Sequence, residues 1–206
     1  MRDGNQGFAQ KVIAVFFLFL FIGCTTIPHL KVNYRLPPGT DVLKGKKVVL
    51  VTEDARTKRD ILTPRAYEAF KNFPGNISFS VTKHNGAPFD IGLYEPLSMF
   101  KEALKRRLQI EGIDVRHFSS DDEIELIFVL NKFDLDLVSR KWIAEMSCEV
   151  KMMRGKQFLA SQSLSGRGEH LKMLGTDEAD KIMGDVFTDL INRVDVAGLF
   201  RRANLL

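Results

Sequence analysis

Apolar and polar residues alternate most regularly in the segment from Trp142 to Met152. Every second position is apolar and most positions between are polar, the apolar set being Trp142, Ala144, Met146, Cys148, Val150 and Met152. A period of two predicts a β-strand with one buried face, which is typical of an antiparallel sheet with one side in water. Arg154-Gly155-Lys156 predicts a hairpin turn, and Phe158 to about Ser165 then forms the partner strand.

Two other segments have the spacing of three and four residues that predicts an amphipathic helix. The first helix begins at Pro96, ends near Gly112 and has an apolar stripe of Leu97, Phe100, Leu104 and Leu108. The second is capped by Thr176 or Asp177 and has a stripe of Ala179, Ile182, Met183, Val186, Phe187, Leu190, Ile191 and Val194. Residues 196–206 add a short helix.

The remaining elements complete an α+β fold. Lys47–Val51 predicts a buried strand, Ile113–Phe118 a short extended segment, and Ile124–Leu137 a long strand. Residues 57–93 contain prolines, glycines and one plausible strand at Ile77–Val81, so we expect an irregular insertion. The order β-(insertion)-α-β-β-β-α predicts a two-layer sandwich, in which two helices pack on a mainly antiparallel sheet.

The N-terminus has the layout of an export signal. Arg2 and Lys11 precede an apolar run, Val12–Ile22, which ends at Gly23-Cys24. A membrane-spanning helix needs about 20 apolar residues, roughly twice the length of this run. We therefore predict that residues 1–23 are a cleaved signal peptide.

The end of this signal, Phe21-Ile22-Gly23-Cys24, resembles a bacterial lipobox, with Phe21 where leucine is usual. The resemblance implies cleavage between Gly23 and Cys24 and attachment of lipid, with acyl chains such as palmitate, to the Cys24 thiol. The alternative is a plain cleaved signal beside an incidental cysteine. Because Thr25 is not aspartate, analogy with sorting rules favours an outer membrane lipoprotein that faces the periplasm.

Three regions follow from this interpretation. Residues 1–23 are the signal peptide, residues 24–44 a lipidated flexible tether with several prolines, and residues 45–206 a single α+β periplasmic domain. Removing the signal peptide takes away Arg2, Asp3 and Lys11, so the net charge falls only from +4 to +3. Such a small positive charge does not indicate a nucleic-acid partner.

The sequence has few candidates for chemistry. The four histidines, His29, His84, His117 and His170, are too far apart in sequence to indicate a zinc site. Cys148 lies in the alternating strand, where a buried apolar role is favoured over a nucleophile, and lipid on Cys24 leaves it without a disulfide partner. Asp134 and Asp136 share one strand face and could hold a cation, although a solvated face is favoured.

Other polar motifs have structural interpretations. Asp54 and Arg56 predict a salt bridge after the first strand, and Gly166-Arg167-Gly168 predicts a turn. Lys105, Arg106 and Arg107 form a basic patch that is either a solvated helix face or a contact for lipid headgroups. Glu102 and Arg106 are expected to pair one helical turn apart. We find no nucleophile with a base, and we expect no catalytic residues, no cofactor, no metal and no enzymatic activity.

The chain resembles the YajG-type uncharacterised lipoproteins. The resemblance lies in the lipobox, in Val48-Val49-Leu50-Val51-x-x-Asp54-x-Arg56, and in the pattern of the helices and the hairpin Trp142–Leu164. The architecture is also similar to accessory lipoproteins of lipid-transport systems. Neither resemblance implies catalytic residues.

Three functions remain as hypotheses. The first is a non-enzymatic lipoprotein that binds another envelope component through a sheet edge, the insertion or a helix face. The second is an auxiliary of lipid or lipopolysaccharide transport that contacts lipid directly, for which we expect a long apolar groove between helices and sheet. The third is a periplasmic hydrolase, which needs a pocket with convergent titratable groups. The partner and the oligomeric state stay open.

Overall fold

The structure, a computed structural model, describes residues 28–83, 86–116 and 123–206. The strands are β1 (Leu30–Arg35), β2 (Lys47–Asp54), β3 (Ile77–Thr82), β4 (Pro88–Tyr94), β5 (Asp114–Arg116), β6 (Ile124–Val138), β7 (Lys141–Arg154) and β8 (Gln157–Leu171). The helices are α1 (Pro64–Tyr67), α2 (Pro96–Ile110), α3 (Asp177–Asn192) and α4 (Val196–Arg202). The predicted signal peptide, Cys24, His84 and His117 lie outside the described residues.

The larger sheet has five strands in the order β5-β2-β6-β7-β8. Its three long strands, β6 to β8, are antiparallel as predicted, and the hairpin turn lies at residues 154–157. The β2 strand pairs in parallel with both β5 and β6, which the sequence did not indicate. The predicted α+β class with two helices packed against sheet is confirmed.

One face of this sheet is closed by α2 and α3. All six apolar β7 side chains of the predicted alternation are buried. Phe100 of α2 lies at the centre, with its ring centroid 5.1 Å from that of Phe128, 5.4 Å from Phe133 and 4.7 Å from Phe187 of α3. Aromatic rings at these distances fill the space between helices and sheet.

A second sheet has the order β1-β3-β4, and its first strand corrects the predicted tether. Residues 30–35 pair in parallel with β3, and Leu30, Val32 and Tyr34 are fully buried. The prediction of a flexible tether over residues 24–44 is therefore wrong for β1. The physical reason is the alternation of apolar and polar residues in Leu-Lys-Val-Asn-Tyr-Arg, which buries one face of the strand. The folded domain begins at about residue 30 instead of 45.

The segment 57–93 is more ordered than we expected. The predicted strand at Ile77–Val81 is confirmed as β3, and the segment also contains α1 and β4. Ile61, Ala66 and Phe70 are buried, and the Phe70 ring lies 5.7 Å from that of Trp142. The segment thus contributes core to both sheets.

The helix boundaries follow the predicted signals closely. The α2 helix begins at Pro96, and Gly112 has a φ of +86°, a conformation that favours glycine at a helix end. A Cβ atom on Gly112 would also lie 2.8 Å from the Cα atom of Lys44. Within the described ranges, no helix combines the length and apolar character that crossing a membrane requires.

Candidate functional site

Cys148 is a core residue. It is 1% exposed, and burial raises the pKa of its thiol to about 12. Because the thiolate is the reactive form, this cysteine is inert near neutral pH. The predicted buried role is confirmed.

Asp54 and Arg56 form the predicted salt bridge at the end of β2. The Arg56 guanidinium donates to both carboxylate oxygens, with Nε 2.9 Å from Oδ1 and Nη2 2.8 Å from Oδ2. The Arg56 side chain is only 5% exposed, and its hydrogen bonds lower the pKa of Asp54. This bidentate pair fixes the loop after β2.

The carboxylates of Asp134 and Asp136 are each engaged by protein groups. Nη2 of Arg65 lies 2.7 Å from Oδ2 of Asp136, and the Thr63 hydroxyl donates to Oδ1 of the same carboxylate. Nζ of Lys132 lies 3.8 Å from Asp134 and also pairs with Glu145. A shared cation between the two aspartates is therefore not supported. Among the described residues, no three metal-binding side chains come together, so neither His29 nor His170 belongs to a candidate metal site.

The Gly166-Arg167-Gly168 motif lies inside β8, so the predicted turn is wrong. A Cβ atom on Gly168 would lie 2.5 Å from Cδ1 of Ile182 and 2.8 Å from Cγ2 of Val186. The glycines therefore allow α3 to pack closely on β8. Arg167 lies between them and donates to Glu145 at 2.8 Å.

The predicted basic patch on α2 divides into different roles. Nε of Arg106 donates to Glu102 at 2.7 Å, as predicted. Arg107 points inward, where its 12% exposed side chain pairs with Glu111, which is 9% exposed. Arg107 is therefore no part of a surface patch. Burial raises the pKa of Glu111, and the nearby positive charge of Arg107 partly opposes that shift.

The segment 57–93 and Pro96 line a cavity of about 550 Å³. Its walls include Ile61, Leu62, Tyr67, Phe73 and Pro96, with Arg59, Asp60 and Glu68 as the charged groups. No histidine, cysteine, serine or lysine is among its described lining residues. The titratable groups of this lining are Arg59, Asp60, Tyr67 and Glu68.

The described chain begins beside the first turn of α3. The backbone N–H of Lys31 donates to Oδ1 of Asp180 at 2.8 Å. We name this part of the domain the anchor end, defined by Lys31, Asp180, the β6–β7 turn at 139–140 and the segment 171–174. The turn and the segment are joined by a 2.8 Å hydrogen bond from Lys172 N to Arg140 O.

The β8 strand is an outer strand of the five-stranded sheet, and its free edge is covered unevenly. Nη2 of Arg193 donates to Ser165 O at 2.6 Å, and Nη2 of Arg202 to Ser161 O at 3.4 Å. Beyond Ser165, no described strand pairs with this edge between residues 166 and 171. Unpaired backbone groups of an outer strand are the groups that bind an added strand.

A sheet edge was one of the binding surfaces expected from the sequence, but the pattern did not place it at residues 166–171. The alternation predicted the return strand only to about Ser165, and the strand continues to Leu171. The two glycines obscured the continuation, because glycine is depleted in strands.

No protein-family model matches the chain, and no curated protein matches it in sequence. Among solved structures, the chain is similar to a Xanthomonas campestris protein of family model DUF330, with a TM-score of 0.53 and 14% identity over 85% of this chain and 95% of that one. Rare lipoprotein B from Shewanella oneidensis has a TM-score of 0.44 and 9% identity, over 76% of this chain and 98% of that one. A minor lipoprotein from Acinetobacter baumannii has a TM-score of 0.40 and 11% identity, over 77% of this chain and 94% of that one. The match to the Xanthomonas campestris protein shows a shared fold.

Proposed function

We propose that this protein is a non-enzymatic lipoprotein of the bacterial envelope, held to the outer membrane by lipid on Cys24 and facing the periplasm. In this proposal it binds another envelope protein by strand addition. The observation that carries the proposal is the free edge of β8 between residues 166 and 171, which lies next to the anchor end. A partner bound there lies close to the membrane that holds the lipid.

The geometry of β8 limits where a strand can be added. Ser165 O faces outward, because it accepts from Arg193. Backbone orientation repeats at every second residue of a strand, so the N–H and C=O groups of Arg167 and Glu169 face the same way. The arginine caps at Ser161 and Ser165 protect the other half of the edge.

The filled core favours this function over the transport alternative. An auxiliary that carries lipid between its helices and sheet needs an apolar groove there, and the rings of Phe100, Phe128, Phe133 and Phe187 occupy that space. The hydrolase alternative has less support, because the cavity lined by Asp60 and Glu68 contains no histidine, cysteine, serine or lysine among its described lining residues.

The anchor is tested by replacing the cysteine. In Cys24→Ser cells, we expect an uncleaved precursor without lipid and loss of the protein from the outer membrane fraction. The mass of the purified chain and the fractionation measure both effects. A mass that differs from that of the natural chain only by the cysteine-to-serine change, together with unchanged fractionation, would refute lipidation at Cys24.

The binding edge is tested with a matched pair of variants. Glu169→Pro removes an outward N–H group, whereas Glu169→Ala keeps that group and loses only the exposed pair between Glu169 and Lys141. A photocrosslinking residue at position 167 is expected to capture a partner in the Glu169→Ala background and to lose most of it in the Glu169→Pro background. Equal capture in both backgrounds would contradict strand addition.

A further inference from the structure

Three large apolar side chains are exposed within four consecutive residues that begin at the last residue of β8. Leu171 is 62% exposed, Met173 71% and Leu174 91%. A contiguous exposed apolar segment on a domain with a filled core needs a partner or a membrane to bury it. We name residues 171–174 the apolar tip.

The backbone of the apolar tip contacts the β6–β7 turn and the adjacent start of β7. Besides the hydrogen bond from Lys172 N to Arg140 O, the Nζ atom of Lys172 lies 5.4 Å from the ring centroid of Trp142. Trp142 is fully buried. The backbone of the tip is therefore held against the β6–β7 turn while its apolar side chains point into solvent.

Cations lie within and beside the tip, whereas the first turn of α3 contains the acids Asp177, Glu178 and Asp180. Arg140 is exposed, and Lys172 lies within the tip itself. The neighbouring acid Glu169 is neutralised by Lys141 at 2.9 Å. Apolar side chains next to cations are the composition that binds the interface of a bilayer containing anionic lipid.

The position of the first described residues favours a membrane as the surface that buries the apolar tip. The backbone N–H of Lys31 is hydrogen-bonded to Asp180, which lies six residues after Leu174 in the sequence. Residues 24–27 join Cys24 to Pro28, and four residues reach at most about 14 Å when fully extended. Lipid on Cys24 thus holds the anchor end, with its apolar tip, close to the bilayer.

We propose that the apolar tip, with Arg140 and Lys172, is a second membrane contact that inserts Leu171, Met173 and Leu174 into the interface of an anionic bilayer. The contact fixes the orientation of the domain on the membrane, so that the β6–β7 turn faces the bilayer and the β7–β8 turn points away from it. This inference rests on the proposed anchor at Cys24.

The test uses the full lipidated protein in vesicles of phosphatidylethanolamine and phosphatidylglycerol. A nitroxide is attached to Leu174→Cys and, as the matched control, to Phe158→Cys. Phe158 is 57% exposed and lies near the other end of β8, about 43 Å along the strand from Leu171 at 3.3 Å per residue. The buried Cys148 thiol does not label, and lipid occupies Cys24.

We expect the nitroxide at position 174 to lose accessibility to a water-soluble nickel chelate and to gain accessibility to oxygen when vesicles are added. The control at position 158 is expected to keep its accessibility to the chelate. Replacing phosphatidylglycerol with phosphatidylcholine is expected to weaken the shift at position 174, because the cations lose their counter-charges. Equal accessibility at the two positions in anionic vesicles would overturn the proposal, as would shielding of position 174 without vesicles, which indicates a protein contact.

Failure of the anchor and failure of the tip are separable. The mass of the same preparation reports lipid on Cys24. A lipidated chain whose position 174 stays open to the chelate overturns the tip and leaves the anchor intact. A chain without lipid overturns the anchor and, with it, the argument that selected a membrane for the tip.

Discussion

The backbone N–H of Lys31 donates a 2.8 Å hydrogen bond to Oδ1 of Asp180, which joins the first strand to the first turn of α3. Burial raises the pKa of this carboxyl to about 6, although the bond to Lys31 acts in the opposite direction. The nearby Asp177 raises it further. The free energy of unfolding therefore falls as the Asp180 carboxyl ionises at the junction between β1 and α3.

We expect Asp180→Asn to be more stable than the natural chain at pH 7. A raised folded pKa means that the carboxyl contributes stability fully below its unfolded pKa of about 4 and loses it as pH rises through about 6. The amide keeps the acceptor for Lys31 and cannot ionise. Urea denaturation should show a difference near zero at pH 4 that grows to at most about 3 kcal/mol at pH 7. A difference independent of pH would show that Asp180 does not titrate in this range.

Arg107 and Glu111 should be strongly coupled in stability. Arg107→Met leaves the Glu111 carboxyl buried without its cation and is expected to cost about 3 kcal/mol. The double variant Arg107→Met/Glu111→Leu removes both charges and should recover most of that loss. Chemical denaturation of the natural chain, Arg107→Met, Glu111→Leu and the double variant measures the coupling free energy. A double variant as unstable as Arg107→Met alone would contradict the coupling.

Gly168→Ala should destabilise the domain by about 1–3 kcal/mol, because the new methyl group would overlap Ile182 and Val186 of α3. Ile182→Val shortens the nearer side chain and should restore part of the loss in the double variant. Ser163→Ala, at an exposed position of the same strand, serves as the control and should change the free energy of unfolding by less than about 0.5 kcal/mol. Thermal unfolding of the four chains compares them.

Cys148→Ala should cost about 1–2 kcal/mol through lost packing and leave partner binding intact. The native thiol should also resist maleimide at pH 8 and react only after denaturation, because burial raises its pKa. Titration with maleimide in buffer and in urea measures this directly. Loss of binding in a folded Cys148→Ala protein would give the thiol a functional role.

Local periodicity predicted the elements that bury one regular face. The apolar alternation of β7 and the stripes of α2 and α3 are long enough to be unambiguous, and each lies where the pattern placed it. Pairing between distant strands leaves no such local trace, so the parallel contacts of β2 with β5 and β6 were not predicted.

The β1 strand shows a different limit. Its three buried apolar residues alternate correctly, but prolines on both sides made the segment resemble a linker. The candidate surface was missed for a related reason. Gly166 and Gly168 weaken the strand pattern of β8, and only the contact with α3 explains why glycine is required there.

The incorporation of β1 into the core has a mechanical consequence. A force applied to the chain ahead of Leu30 pulls along the axis of β1, parallel to its six registered partners in β3. Bonds loaded in this shear direction share the load and must break together, whereas bonds pulled open from one end break in succession. Contacts from α3 to Lys31 and Arg35 add to the resistance. Tension on the N-terminal segment is thereby transmitted into the core of the domain.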